Sequence, residues 1–159
     1  MIKLKAMSLD IYAKIKDKKI HEYEAIDNSY KLWTREERKE KCTELTHTVL
    51  NINITHNLGK MASKVPIEWH DGKTGQYFNT DLYYIMWRPE EVFVDTVITL
   101  DMLARPLEIG LKYLLSHEKE LSKYNPKNNW GHYENFVEIL PQYIRACYKW
   151  PNAVLEIDR

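Results

Sequence analysis

Three stretches of the chain alternate apolar and polar residues with a period of two, the mark of a strand with one buried face. In the first, Leu9, Ile11, Ala13 and Ile15 face one side and Asp10, Tyr12 and Lys14 the other. In Thr48 to Ile54, Leu50, Ile52 and Ile54 oppose Val49, Asn51 and Asn53. A third strand, Ala153 to Ile157, has Ala153, Leu155 and Ile157 on one side. A weaker strand is expected from Ile20 to Ile26, after a turn at Asp17-Lys-Lys.

Between these strands the apolar spacing changes to that of helices. Thr34-Arg-Glu-Glu37 has the form of a capping box and opens a charged helix to about Leu45. Asn57 is placed to cap a helix beginning at Leu58, with Gly59 in its first turn. Asp81 to Trp87 reads as a short helix, and Pro89 suits the first position of the next. Thr96 to Leu115 is strongly apolar and predicts a central buried helix, with Pro106 near its start or kinking it. His132 to Trp150 predicts the last helix, lined by Tyr133, Phe136, Leu140, Tyr143 and Cys147, with Pro141 bending it. Residues 66–81 are rich in Gly, Asp, Asn, His and Lys and read as a loop with Trp69, Tyr77 and Phe78 embedded. The order of elements predicts an α+β fold: a small, mostly antiparallel sheet with helices packed on one face.

A length of 159 residues suits one domain, 1–159, with residues 1–7 as a flexible lead. Folding at that length buries roughly 70% of the surface that the unfolded chain exposes. Lysine plus arginine and aspartate plus glutamate are equal at 23 each, which disfavours general nucleic-acid or membrane-surface binding. Residues 1–20 are locally basic, with six lysines against Asp10 and Asp17. Eleven tyrosines and five tryptophans stand against three phenylalanines, and such amphipathic rings serve both core edges and recognition surfaces. Cys42 and Cys147 have no metal-type spacing and read as buried free thiols. The six histidines form no i, i+4 pair, so no metal is expected, and with no phosphate-loop glycine motif or dinucleotide fingerprint no cofactor is expected either. No apolar run reaches the ~20 residues of a membrane span and no signal peptide is evident, so the expected location is the cytoplasm.

Three constellations could carry function. Asn53, Thr55, His56 and Asn57 gather at a strand-to-helix switch, where helix amides could help to cradle an anionic ligand. Helix capping and solvated strand residues explain the same pattern. Asn128-Asn-Trp-Gly-His-Tyr-Glu134 would present Trp130 beside a left-handed Asn129, with Tyr133 one turn into the helix, to stack on a flat ring. A tryptophan plugging its loop onto the core is the plainer account. Trp87-Arg88 could hold a phosphate or carboxylate, or Arg88 could simply pair with Glu90 or Glu91. No nucleophile motif accompanies His56, so catalysis is not expected, and His56 as the base of a nucleotide-acting enzyme is the weakest alternative.

Leu9-Asp-Ile-Tyr12, Asn53-Ile-Thr-His-Asn57 with Met61, Trp87-Arg-Pro-Glu-Glu91, Asn125-Pro-Lys-Asn-Asn-Trp-Gly131 and the closing strand to Arg159 resemble a family of small proteins of bacteriophages and some bacteria. The resemblance covers most of residues 8–159. The family usually has glycine where Asn129 stands, which fits a left-handed residue there, and the helix near 34–45 looks like an insertion. The resemblance implies a phage setting, and hence the host cytoplasm, rather than an activity. The candidate ligand-binding set is Tyr12, Asn53, Thr55, His56, Asn57, Met61, Trp87, Arg88, Asn129, Trp130 and Tyr133. The expected function is non-catalytic sequestration of a small nucleotide-like ligand, as a sponge for a host immune signal. The alternative is a module that docks on a host protein through residues 66–81. Self-association stays open.

Overall fold

A computed structural model describes residues 8–16, 46–127 and 131–159. The expected strand at 20–26, the helix at 34–45, Cys42 and residues 128–130, with Asn129 and Trp130, lie outside that set.

Strands β1 (Ser8–Lys16), β2 (Thr46–Thr55) and β5 (Val154–Asp158) form an antiparallel sheet in the order β2-β1-β5. The alternation of polarity explains its register. Ile11 lies between Ile52 and Ile157, and Ala13 between Leu50 and Leu155, so the buried faces coincide. On the other face Tyr12 lies between Asn51 and Glu156. A register shift at Ala13/Lys14 interrupts the β1–β2 ladder.

The chain leaves β2 through a single 3-10 turn, His56–Leu58, into the four-residue helix α1 (Gly59–Ala62). Thr55, not Asn57, caps this turn: its hydroxyl accepts from the Asn57 N–H at 3.3 Å. Residues 66–81 correct the loop expectation. Here Pro66–His70 (β3) and Tyr77–Asp81 (β4) pair as an antiparallel hairpin. Helices α2 (Leu82–Trp87) and α3 (Pro89–Val92) follow, with Asp81 capping the first through the Tyr84 N–H.

The expected helix at 96–115 is shorter than its apolar run. Residues 98 and 99 run along the free side of β5, with Thr99 bridged to Val154 and the Ile98 carbonyl accepting from the Leu155 N–H. A 3-10 turn (Leu100–Met102) then leads into α4 (Ala104–Ser116), where Pro106 occupies the first turn. The small helix α5 (Glu118–Leu121) and a 3-10 turn (Ser122–Tyr124) precede α6 (Tyr133–Lys149), which runs on through Pro141.

Packing orders these elements into layers. Helix α6 lies on β2, α4 lies on α6, and the hairpin lies on α4 through β3. One buried cluster runs through them, from Leu9, Ile11 and Ile54 to Leu107, Leu140, Ile67 and Trp69. Gly110 lets α4 approach the start of α2 and the hairpin closely, since a Cβ there would meet Leu82 Cδ1 at 2.9 Å and Ile67 Cδ1 at 3.4 Å. Among the described residues, no helix is long and apolar enough to cross a membrane.

Candidate functional site

The strand-to-helix switch is more committed to structure than its polarity suggests. Asn53 is exposed on the outer face of β2, where its amide donates to Asp10 on β1. His56 is half-buried, and its Nδ1 accepts from Trp87 Nε1 at 2.9 Å, which leaves Nε2 as the nitrogen carrying hydrogen in the neutral ring. Trp87 is itself 1% exposed and stacked on Tyr83. Met61 is completely buried. Helix α1 has a single turn and follows a 3-10 turn, so it cannot supply the summed dipole of a longer helix.

The second motif does reach the first, through Gly131. This glycine has φ +81°, and a Cβ on it would lie 2.3 Å from Thr55 Cγ2 and 3.2 Å from Leu58 Cγ. Backbone therefore packs directly on the switch, and a larger residue is excluded. Tyr133 points inward, its hydroxyl donating to the Leu114 carbonyl at 2.5 Å. Arg88 donates to the Tyr83 hydroxyl at 3.4 Å and pairs with Glu91 at 3.6 Å, one of the two carboxylates expected for it. Tyr12 is half-buried on the outer face of β1, away from His56 and Trp87 by the register of its strand. The structure thus joins Thr55 to Gly131 and His56 to Trp87, while Met61, Trp87 and Tyr133 are spent on the interior.

A different place offers room. Between the hairpin and the start of α4 lies a cleft of about 370 Å³, within the range of about 300–1,000 Å³ common for small-molecule sites. Its apolar side is aromatic. Trp69 and Phe78, paired across the hairpin, stack with ring centres 4.5 Å apart, and Phe93 tilts against both. Its polar rim combines the hairpin turn with Asp101 and Arg105 opposite.

Local sequence explains that rim. Asp71 accepts from the Lys73 N–H at 3.0 Å and from the Thr74 hydroxyl at 2.8 Å, and Gly75 takes φ +70° to close the turn. Those hydrogen bonds, the Lys73 amide first, hold the Asp71 carboxyl below its ordinary range. Lys73 reaches across the cleft to Asp101 at 3.2 Å. Partial burial pushes the Asp101 carboxyl up, but the Thr99 hydroxyl and the Lys73 ammonium outweigh it and leave it lowered. Arg105, exposed at the mouth, makes no ion pair or hydrogen bond among the described residues. Among the described residues the cleft therefore has one cation without an ion pair, lining the same space as an aromatic floor, an arrangement suited to a flat ring that carries an anion.

Sequence reasoning picked out Trp69, Tyr77 and Phe78 but not Lys73 or Arg105. A usable signal was present: Ile67 and Trp69 alternate with polar neighbours up to the Asp71–Gly75 turn, which is a hairpin pattern. Comparison with family models, with curated proteins and with solved structures finds no match to this chain.

Proposed function

We propose that this chain is a non-catalytic binding protein that takes a small nucleotide-like ligand in the cleft between the hairpin and α4. The observation that carries the reading is the Arg105 guanidinium, without an ion pair among the described residues, lining the same cleft as the Trp69–Phe78–Phe93 rings. A base can lie against the rings while a phosphate meets Arg105. Both carboxylates of the rim already serve the turn and Lys73, which supports recognition rather than acid–base chemistry. The likeness to phage proteins supports a setting inside an infected cell, where such a binder would keep a host signal from its receptor.

Isothermal titration of the folded chain with adenosine monophosphate, ADP-ribose and a cyclic dinucleotide tests the proposal. Saturable binding of at least one, weakened about ten-fold or more by Arg105→Ala, is the expected result. Absence of heat with all three from a sample that melts cooperatively would sink it.

Docking on a host protein is a second reading, favoured by the exposure of Tyr77 (48%), Tyr84 (40%) and Val94 (64%) on or beside the hairpin. It requires capture of a host protein that is lost with Tyr77→Ala and Tyr84→Ala and is indifferent to Arg105→Ala.

A further inference from the structure

The cleft does not end at its aromatic wall. Phe78 and Val92 also border a second, shallower groove of about 350 Å³, so they form a saddle between two spaces of similar size. The groove runs along β4, whose other edge is taken by β3, and its far side is Tyr84 and Glu91. Tyr77 and Asn79 stand on the strand side.

The two spaces differ in charge. Lys73 and Arg105 border the deep cleft together with Asp71 and Asp101, so its formal charges balance, but Asp101 pairs with Lys73, Asp71 is taken up by the turn, and Arg105 has no carboxylate partner among the described residues. Among the described residues the groove has Glu91 as its one carboxylate, loosely paired with half-buried Arg88 at 3.6 Å. An anion is therefore favoured locally at Arg105 on one side of the saddle, and hydrogen-bond donors at Glu91 on the other. A single nucleotide bound in the first space would leave the second unused.

Resting on the binding function just proposed, we infer that the ligand is a two-unit nucleotide lying across the saddle. The first base lies on the Trp69–Phe78–Phe93 floor with its phosphate at Arg105. The second unit enters the groove, its ring beside Tyr84 and its sugar hydroxyls or amino group donating to the Glu91 carboxylate. Asn79 supplies a further amide that can both donate and accept.

The test compares adenosine monophosphate with the linear dinucleotide pApA by isothermal titration, on wild type, Glu91→Gln, Asn79→Ala and Arg105→Ala. Both substitutions in the groove are on exposed side chains, and thermal melts confirm folding. The expected result is a preference for pApA of about ten-fold or more, the order that one stacked base contributes. Glu91→Gln and Asn79→Ala should each shrink that preference while leaving the monophosphate affinity unchanged, and Arg105→Ala should weaken both ligands. Equal affinity for the two ligands, or a preference unmoved by both groove variants, overturns the two-unit inference and leaves the binding function standing. If neither ligand binds, the two-unit inference falls, and the titrations with ADP-ribose and a cyclic dinucleotide decide whether the binding function falls with it.

Discussion

At the scale of single residues, polar atoms in the interior show where the fold spends stability. The Tyr133 hydroxyl and the Trp87 indole each have a partner, Leu114 O and His56 Nδ1. The Tyr143 hydroxyl has none among the described residues, although the ring is completely buried on α6. Burial pushes its phenol well above the ordinary value, and the neighbouring Cys147 adds to that. Cys147 itself is raised to about 12, chiefly by burial, so it is a packing thiol and not a nucleophile. An unsatisfied buried hydroxyl destabilises by ~1–3 kcal/mol. Tyr143→Phe keeps the ring and removes that hydroxyl, so it should raise stability by about 1 kcal/mol or more. Urea denaturation of the two proteins measures the difference, and a loss of stability would mean that the hydroxyl has a partner after all.

At the scale of elements, the hairpin is held to the rest of the molecule by its tip as well as by its packing on α4. Asp71 organises the turn, and Lys73 ties it to Asp101. Both carboxyls are lowered in the folded chain. For a lowered acid, the stabilisation is present above its unfolded pKa, about 3.9 for Asp, and is lost as pH falls through the lower folded value. Asp81 has the opposite sign. Burial raises it against the Tyr84 and Tyr83 amides, so its contribution is largest in acid and is lost as pH rises through its folded value. Asp101→Asn should therefore lower stability at neutral pH and flatten the fall below about pH 4. Thermal melts between pH 7 and pH 2 provide the check, and an acid fall as steep in Asp101→Asn as in wild type would show that the tie contributes nothing. The legibility of these elements follows from their burial. Strands β1, β2 and β5 are buried on one face, so their alternation survives in the sequence. The hairpin is short and turn-rich, and only Ile67, Trp69 and Phe78 mark its inner face. The apolar run at 96–100 misleads because Ile98 and Thr99 lie along the edge of β5 instead of winding into α4. The cleft was less legible still, since Lys73, Phe93 and Arg105 come together only when the hairpin packs on α4. At the strand-to-helix switch, the sequence showed polar side chains but not that Asp10 and Trp87 engage two of them.

At the scale of the molecule, the sheet binds the ends of the sequence together. Strand β1 is central and pairs with β2 on one side and with β5, at the far end of the chain, on the other. Ile52, Ile11 and Ile157 form one row across it, and Ile11 is completely buried. The layers of α6, α4 and the hairpin are stacked from this sheet outward and share its core. Shortening Ile11 to alanine opens a cavity at the middle of that row, with an expected loss of about 2–5 kcal/mol. Because the core is continuous, the loss should be felt by the whole molecule. Far-ultraviolet circular dichroism reads the secondary structure, and tryptophan fluorescence includes Trp69 in the hairpin and Trp87 in α2. In Ile11→Ala the two signals should shift together to one lower urea midpoint. If the fluorescence transition stayed at the wild-type midpoint while the dichroism moved, the hairpin and α2 would be stable independently of the sheet. The cleft would then rest on a separate cooperative unit. With one shared transition, mutations in the sheet weaken the ligand site only through the population of folded molecules, and affinity measured well below the transition should be unchanged in Ile11→Ala.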